Sequence, residues 1–380
     1  MIQNTDTLML LYRARLLLEE GQNEAALEVL QAIRVEDEKQ QQDVAYLLAW
    51  CYIQQKQWDE AIQVLKPLLG QSGEQGGQET LLERERIATY LLRLGLAAFA
   101  LAHFEDASLH FTGCLKVLHD RRVHLPAVRI KARCSLAMTC TIRGLYIVAI
   151  QHYEEALRQC RHYNNEEEVP HIYHGLADAY LHIEDYAKAY HAAQEALNLS
   201  EKRADWQMIA CMHTILGRIC FLSGNYRQAS DHYTESLAIV TKYDSYQMVM
   251  LNCAALADLR LTEGQLDEAK SYSHSALDVL ARTEDPYGQG KTYNVVGKVA
   301  LEEARRSEGP QRQTLLEEAV GWFEKAQEQL ARTREYPDMA EVYGSRAQAL
   351  EELGRVEEAI ECWRFGYEVL SKKKPVLVEK

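Results

Sequence analysis

Between Tyr173 and Leu280 one residue pattern recurs three times at a fixed interval of 40 residues. The copies read Leu176-Ala177-Asp178…Asp185-Tyr186…Ala189…Ala196-Leu197, Leu216-Gly217-Arg218…Asn225-Tyr226…Ala229…Ser236-Leu237 and Leu256-Ala257-Asp258…Gln265-Leu266…Ala269…Ala276-Leu277. Self-similarity at such a period marks a stacked-repeat architecture, because each unit contacts only its neighbours and buries its apolar face against them. In the middle copy Ile209, Met212, Leu216, Ile219 and Cys220 recur at helical spacing. Ser223-Gly224-Asn225 interrupts that run, with Gly224 suited to a left-handed helix end, and Tyr226, Ala229, Tyr233, Leu237 and Val240 begin a second helical face. The unit is a helical hairpin in which Gly217 and Ala229 permit close backbone approach and tyrosines fill the wider gaps.

The rest of the chain yields less regular copies. The first runs from Asp6 to Ile33, with Thr5 or Asp6 available to cap its opening helix, Gly21 at its turn and Arg13-Ala14 in place of the large–small pair. Leu48-Ala49…Tyr52…Trp58…Ala61…Leu65, Leu94-Gly95…Phe104…Ala107…Phe111 and Leu136-Ala137…Gly144…Ala149…Tyr153…Ala156 give the next three. An eighth begins at Val296-Gly297 but reaches Ala319 ten residues late, and Arg305 to Arg312 is expected to form a charged loop. A ninth contains Ala347…Gly354…Ala359…Trp363. Nine hairpins, or eighteen helices, leave no length for a separate globular domain. The expected divisions are a repeat pair at 1–69, a flexible glycine-rich linker at 70–80, the main array at 81–371 and a basic tail at 372–380.

The large–small pair in the first helix and the Gly-aromatic-Ala turn, seen in Leu216-Gly217…Gly224-Asn225-Tyr226…Ala229…Tyr233, resemble the tetratricopeptide repeat. At 40 residues the hairpins exceed the usual 34 and look like the long repeats of bacterial peptide-sensing and MalT-type regulators and of adaptors such as kinesin light chain and LGN. The resemblance implies an all-α solenoid, a right-handed superhelix of hairpins whose first helices line a concave groove for a peptide or partner protein. Peptide-regulated Rap phosphatases also carry such repeats, with catalysis in a separate N-terminal helical bundle bearing a glutamine. Here the N-terminus already reads as repeats and Gln40-Gln41-Gln42 is expected in a connection, so no catalytic role is carried over.

Composition narrows the function. A net charge of −14 argues against general nucleic-acid binding and against an anionic membrane surface. No apolar run approaches the ~20 residues of a membrane helix, and Met1-Ile2-Gln3-Asn4-Thr5-Asp6 lacks the basic start of a signal peptide. Nine scattered cysteines without a CxxC pair favour buried thiols in a reducing cytoplasm. No phosphate-binding, nucleophile-elbow or HExxH motif appears, which points to a non-catalytic protein needing no cofactor.

Candidate partner-binding residues come from the groove side. The residue after the small position is Asp178, Arg218, Asp258 and Lys298 in four consecutive copies, alternating in sign. That series is either a ladder of ion pairs or a polar rail for an extended peptide. His171, His174, Asp178 and His182 share one helical face and form a metal-capable stripe or, as the favoured reading, a hydrated groove wall. Lys291, Asn294 and Lys298 share another. The resemblance implies that such an asparagine clamps ligand backbone while lysines meet carboxylates, although the successive Lys/Asn pattern of the chaperone-tail clamp is missing. Between Lys116 and Arg133 six basic residues, including Arg121, Arg129, Lys131 and Arg133, face one acid, giving either a docking patch or a solvated loop. Two function classes remain: an adaptor that presents its groove to a partner, and a peptide-sensing regulator whose superhelix changes on ligand binding.

Overall fold

The computed structural model describes residues 2–33, 35, 38–71, 81–120, 122–333 and 336–372. The described residues form eighteen helices and no strand. The chain divides into two compact units, Met1–Gly175 and Leu176–Lys380. The first holds α1 (Ile2–Glu19), α2 (Asn23–Ala32), α3 (Glu38–Gln54), α4 (Trp58–Gln71), α5 (Leu81–Ala100), α6 (Phe104–Val117), α7 (Pro126–Ile142) and α8 (Tyr146–Tyr163). The division falls inside α9 (Val169–His182). The second continues with α10 (Tyr186–Arg203), α11 (Trp206–Leu222), α12 (Tyr226–Lys242), α13 (Tyr246–Thr262), α14 (Leu266–Leu280), α15 (Pro286–Arg305), α16 (Gly309–Leu330), α17 (Tyr336–Glu352) and α18 (Val356–Lys372).

Within each unit sequential helices pack as hairpins, and the first helices of successive hairpins also touch: α1 with α3, α3 with α5 and α5 with α7, then α11 with α13, α13 with α15 and α15 with α17. The large–small pair explains the pairing. An added Cβ at Gly217 would stand 2.6 Å from the ring of Tyr233, and at Gly95 it would stand 2.4 Å from that of Phe111. The aromatic ring of the second helix therefore lies directly on the bare backbone of the first. Gly297 and Phe323 repeat the arrangement, and Gly175 receives Tyr153 of the preceding helix in the first unit.

The hairpin turns are equally uniform. Gly21, Gly144, Gly224, Gly264 and Gly354 adopt φ between +76° and +78°. At the equivalent turns Lys56, Ala102 and Glu184 take the same left-handed conformation without being glycine. Each turn is closed by an N–H reaching five residues back, as in Asn225 to the Cys220 carbonyl at 2.8 Å and Asp185 to that of Tyr180 at 3.0 Å. This is the Schellman closure, which satisfies carbonyls that a helix end leaves bare.

Several expectations are corrected. Thr5 and Asp6 do not cap α1, because the helix already begins at Ile2. Gln40, Gln41 and Gln42 lie in the first turn of α3 rather than in a connection; three glutamines are good helix formers and Gln40 is buried. The expected loop 305–312 is mostly helix. Its extra residues extend α15 to 20 residues and α16 to 22, against 17 in α11 and α13. Gly309 and Pro310 start α16, and Arg305 and Arg312 both reach Glu352, at 2.8 and 2.9 Å. The stretch 72–80 of the glycine-rich linker and residues 373–380 of the tail lie outside the described residues.

Candidate functional site

The first helices of the second unit carry three side-chain levels along one face. One level holds Asp178, Arg218, Asp258 and Lys298, the next turn holds Thr214, Ala254 and Asn294, and the turn before that holds Leu251 and Lys291. Because these helices pack side by side, the levels converge. Together with Ile215, Phe221, Leu222, Tyr287, Asp338 and Glu341 they line one cleft of about 460 Å³. The cleft thus has an apolar floor and a charged wall, both supplied by the first helices.

The charged wall is a network. Lys298 Nζ donates to Asp258 Oδ1 at 2.8 Å and also to Glu341. Lys291 Nζ donates to Asp338 Oδ1 at 2.9 Å. Asn294 Nδ2 donates to Glu341 Oε1 at 3.3 Å, while its Oδ1 is buried and has no hydrogen-bond partner among the described residues. Burial works against the charge on Lys291, but Asp338 and Glu341 outweigh it and hold the amine above the usual lysine range. Burial likewise pushes Asp338 up, yet Lys291 and Arg218 pull it down to about 2. Burial opposes the charge on Lys298 and on Glu341 too, but Asp258 and then Glu341 raise the lysine while Lys298 and then Lys291 lower the glutamate, so all four groups are ionised near neutrality.

Asp338 and Glu341 were not singled out in the sequence. They stand 47 residues after Lys291 and Asn294, not 40: the enlarged α15–α16 hairpin starts α17 50 residues after α15, and the pairs meet one helical turn below that step.

The remaining candidates are placed differently. Asp178 lies 3.6 Å from His182 on α9. His171 is exposed and His174 half-buried, both in the first unit. No group of three or more His, Cys, Asp or Glu among the described residues is arranged to hold a metal ion. The basic stretch is engaged by its own chain: Asp120 takes Arg122 at 2.8 Å and also Arg84, Lys131 meets Glu168 at 2.9 Å, and Arg129 donates to the Leu118 carbonyl. Arg133 is half-buried, and burial lowers its pKa while Glu155 opposes. Arg121 lies outside the described residues. All nine cysteines are free thiols, eight of them buried. No described helix is long and apolar enough to cross a membrane.

Tetratricopeptide-repeat models match residues 4–76, 129–202, 168–242 and 316–362. No curated protein sequence matches. Among solved structures, the apo form of RapI superposes with a TM-score of 0.71 at 15% identity, covering 96% of this chain and 98% of that one. The apo quorum sensor NprR from B. thuringiensis gives 0.69 at 17%, covering 96% and 99%. A Rap protein complexed with competence and sporulation factor gives 0.66 at 16%, covering 97% and 99%. At such identities the likeness is one of fold.

Proposed function

The chain is a tetratricopeptide-repeat protein of the long-repeat type, and on that premise we propose that it is a non-catalytic scaffold whose second unit binds an extended peptide or a protein segment. The observation that carries this reading is the cleft itself. Residues from the first helices of five hairpins converge on an apolar floor beside fixed charges of both signs, and the Oδ1 of Asn294, one of the lining residues, is buried with no hydrogen-bond partner among the described residues. A peptide backbone N–H supplies what that acceptor lacks. Ion-paired Asp258 and Lys298 present a rigid dipolar wall, so the fitting ligand is of mixed polarity with an apolar anchor. In this reading Asp178 and Arg218 extend the wall, and His171, His174, Arg129, Lys131 and Arg133 are separate partner contacts of the first unit. Two of the similar structures support the choice of peptide, since one holds competence and sporulation factor and another is NprR with its cognate peptide NprX. The thiols suit a reducing cytoplasm, the setting proposed here.

The test is selection from a random 12-residue peptide library displayed on phage, followed by calorimetry with the winning peptides. Leu222, 46% exposed at the cleft edge, tolerates Leu222→Glu without loss of fold, and Leu109→Glu in the first unit is the matched control. Peptides should lose affinity for Leu222→Glu and Asn294→Ala and keep it for Leu109→Glu. Peptides bound equally by all four proteins would refute the placement, and a library that enriches nothing would refute the peptide reading.

A further inference from the structure

A second cavity, of about 560 Å³, lies within the first unit and has no part in the cleft just described. Its wall is built from three parallel stripes. Leu8, Leu11, Tyr12 and Arg15 come from α1, Asp43, Tyr46, Leu47 and Trp50 from α3, and Glu85, Arg86, Thr89, Tyr90 and Arg93 from α5. A cavity of that size lined mostly by apolar and aromatic groups suits a small molecule.

The charges inside it are not balanced evenly. Arg86 is paired with Asp43 at 2.9 Å, and Arg15 with Glu19 at 3.0 Å. Arg93 is different. Its guanidinium carbon lies 4.5 Å from the ring centre of Tyr46 and 4.6 Å from that of Trp50, and Nη2 donates to the Tyr46 hydroxyl at 3.0 Å. No carboxylate among the described residues pairs with it. A guanidinium carries five N–H donors in one plane. With Nη2 given to the Tyr46 hydroxyl and no carboxylate beside it, the remaining N–H groups of Arg93 are left for a planar anion, the group that arginine recognises in two-pronged fashion. Glu85, the second acid of the wall after Asp43, sits eight residues earlier on α5, about 12 Å along the helix at the ordinary rise, and so repels an anion from the far end only.

We propose that this cavity binds a small apolar carboxylic acid, with the carboxylate on the edge of Arg93 and the apolar body among Leu11, Tyr12, Leu47 and Tyr90. Burial lowers the Arg93 pKa from the ordinary arginine value, in keeping with a cation whose hydration is restricted and whose best partner is an anion. The site is independent of the peptide cleft, and either stands without the other.

The probes are a panel of simple acids (phenylacetate, 4-phenylbutyrate, indole-3-acetate, hexanoate and octanoate) and the neutral amide of each. Trp50 lines the cavity and is its own reporter. Its indole N–H signal is identified by loss in Trp50→Phe and followed by NMR in the full chain. At least one acid should shift that signal saturably, with its amide about 10- to 100-fold weaker. Arg93→Gln should abolish the shift. Because Arg93→Gln also removes a packed side chain, Thr89→Leu serves as a second variant, filling the cavity while leaving Arg93 in place, and it too should abolish binding. Both variants are first required to melt like the parent by circular dichroism. Equal response to acid and amide, undiminished binding in Thr89→Leu, or no saturable shift from any acid would overturn the proposal. A peptide with a free C-terminal carboxylate that shifts Trp50 when no small acid does would also overturn it, in favour of a chain-end site.

Discussion

The glycine-under-aromatic contact can be tested by comparing two alanine substitutions that differ in one physical respect. Gly217 and Gly321 both lie inside helices, α11 and α16, so replacing either by alanine gains about 1 kcal/mol of helix propensity. At Gly321 the new methyl meets nothing within 4 Å. At Gly217 it arrives 2.6, 2.7 and 3.0 Å from three carbons of the Tyr233 ring, where optimal carbon contacts lie near ~3.5–4.0 Å. Tyr233 is only 4% exposed and is clustered with Cys220, Ala229, Leu256 and Leu259, so it cannot swing away freely. Overpacking of this kind costs about 1–3 kcal/mol. The propensity gain is common to both sites, so Gly217→Ala should be less stable than Gly321→Ala by about 1–3 kcal/mol. Repeat arrays unfold in parts, which makes a global midpoint a blunt instrument. Native-state hydrogen exchange resolves the parts: amides of α11 and α12 should lose protection in Gly217→Ala, and those of α16 should gain it in Gly321→Ala. Equal protection in both variants would show that the ring and backbone are not in the tight register described, and the account of the large–small pair would fail with it.

Three further outcomes follow from the charged and titratable groups. Lys291→Met should destabilise the second unit by roughly 3–5 kcal/mol in urea unfolding, because it strands Asp338, which is 6% exposed, without its cation. Asp338 is held at about 2 against an ordinary 3.8, so its stabilisation is complete above the unfolded value and disappears as pH falls from about 4 towards 2; the roughly 2 kcal/mol involved should be missing from the acid limb of Asp338→Asn. His213 and His232 share a hydrogen bond at 3.1 Å, and burial lowers both, the neighbouring ring lowering His232 further while Glu201, Asp231 and Glu235 oppose. Lowered histidines favour the folded state while neutral, so stability should fall as pH drops below about 6.5, and the fall should be absent in a His213→Gln/His232→Gln variant followed by thermal melting.

Legibility in the sequence depended on whether an interaction stays in register. Gly217, Tyr233 and Gly224 could be assigned because a 40-residue period repeats their environment, and a pattern seen three times outweighs any single propensity. The rail Asp178, Arg218, Asp258 and Lys298 was visible for the same reason, and its ladder reading is realised between Asp258 and Lys298. Asp338 and Glu341 were invisible because the enlarged α15–α16 hairpin moves α17 ten residues beyond the 40-residue step, and a fixed ruler then lands on the wrong turn. The basic stretch shows a different failure. A window from Lys116 to Arg133 counts only charges close in sequence, whereas in a stacked hairpin array the counter-charge comes from the connection ahead of the next first helix, as Lys131 meets Glu168 and Arg84 meets Asp120, 37 and 36 residues apart. Local charge excess in such a chain is therefore a poor guide to a free surface until each charge has been compared with the residue about one repeat away. The same rule applied in reverse isolates Arg93. Its partners Tyr46 and Trp50 lie about one repeat away and are aromatic rather than acidic, which is what leaves a cation in the first unit without an anion.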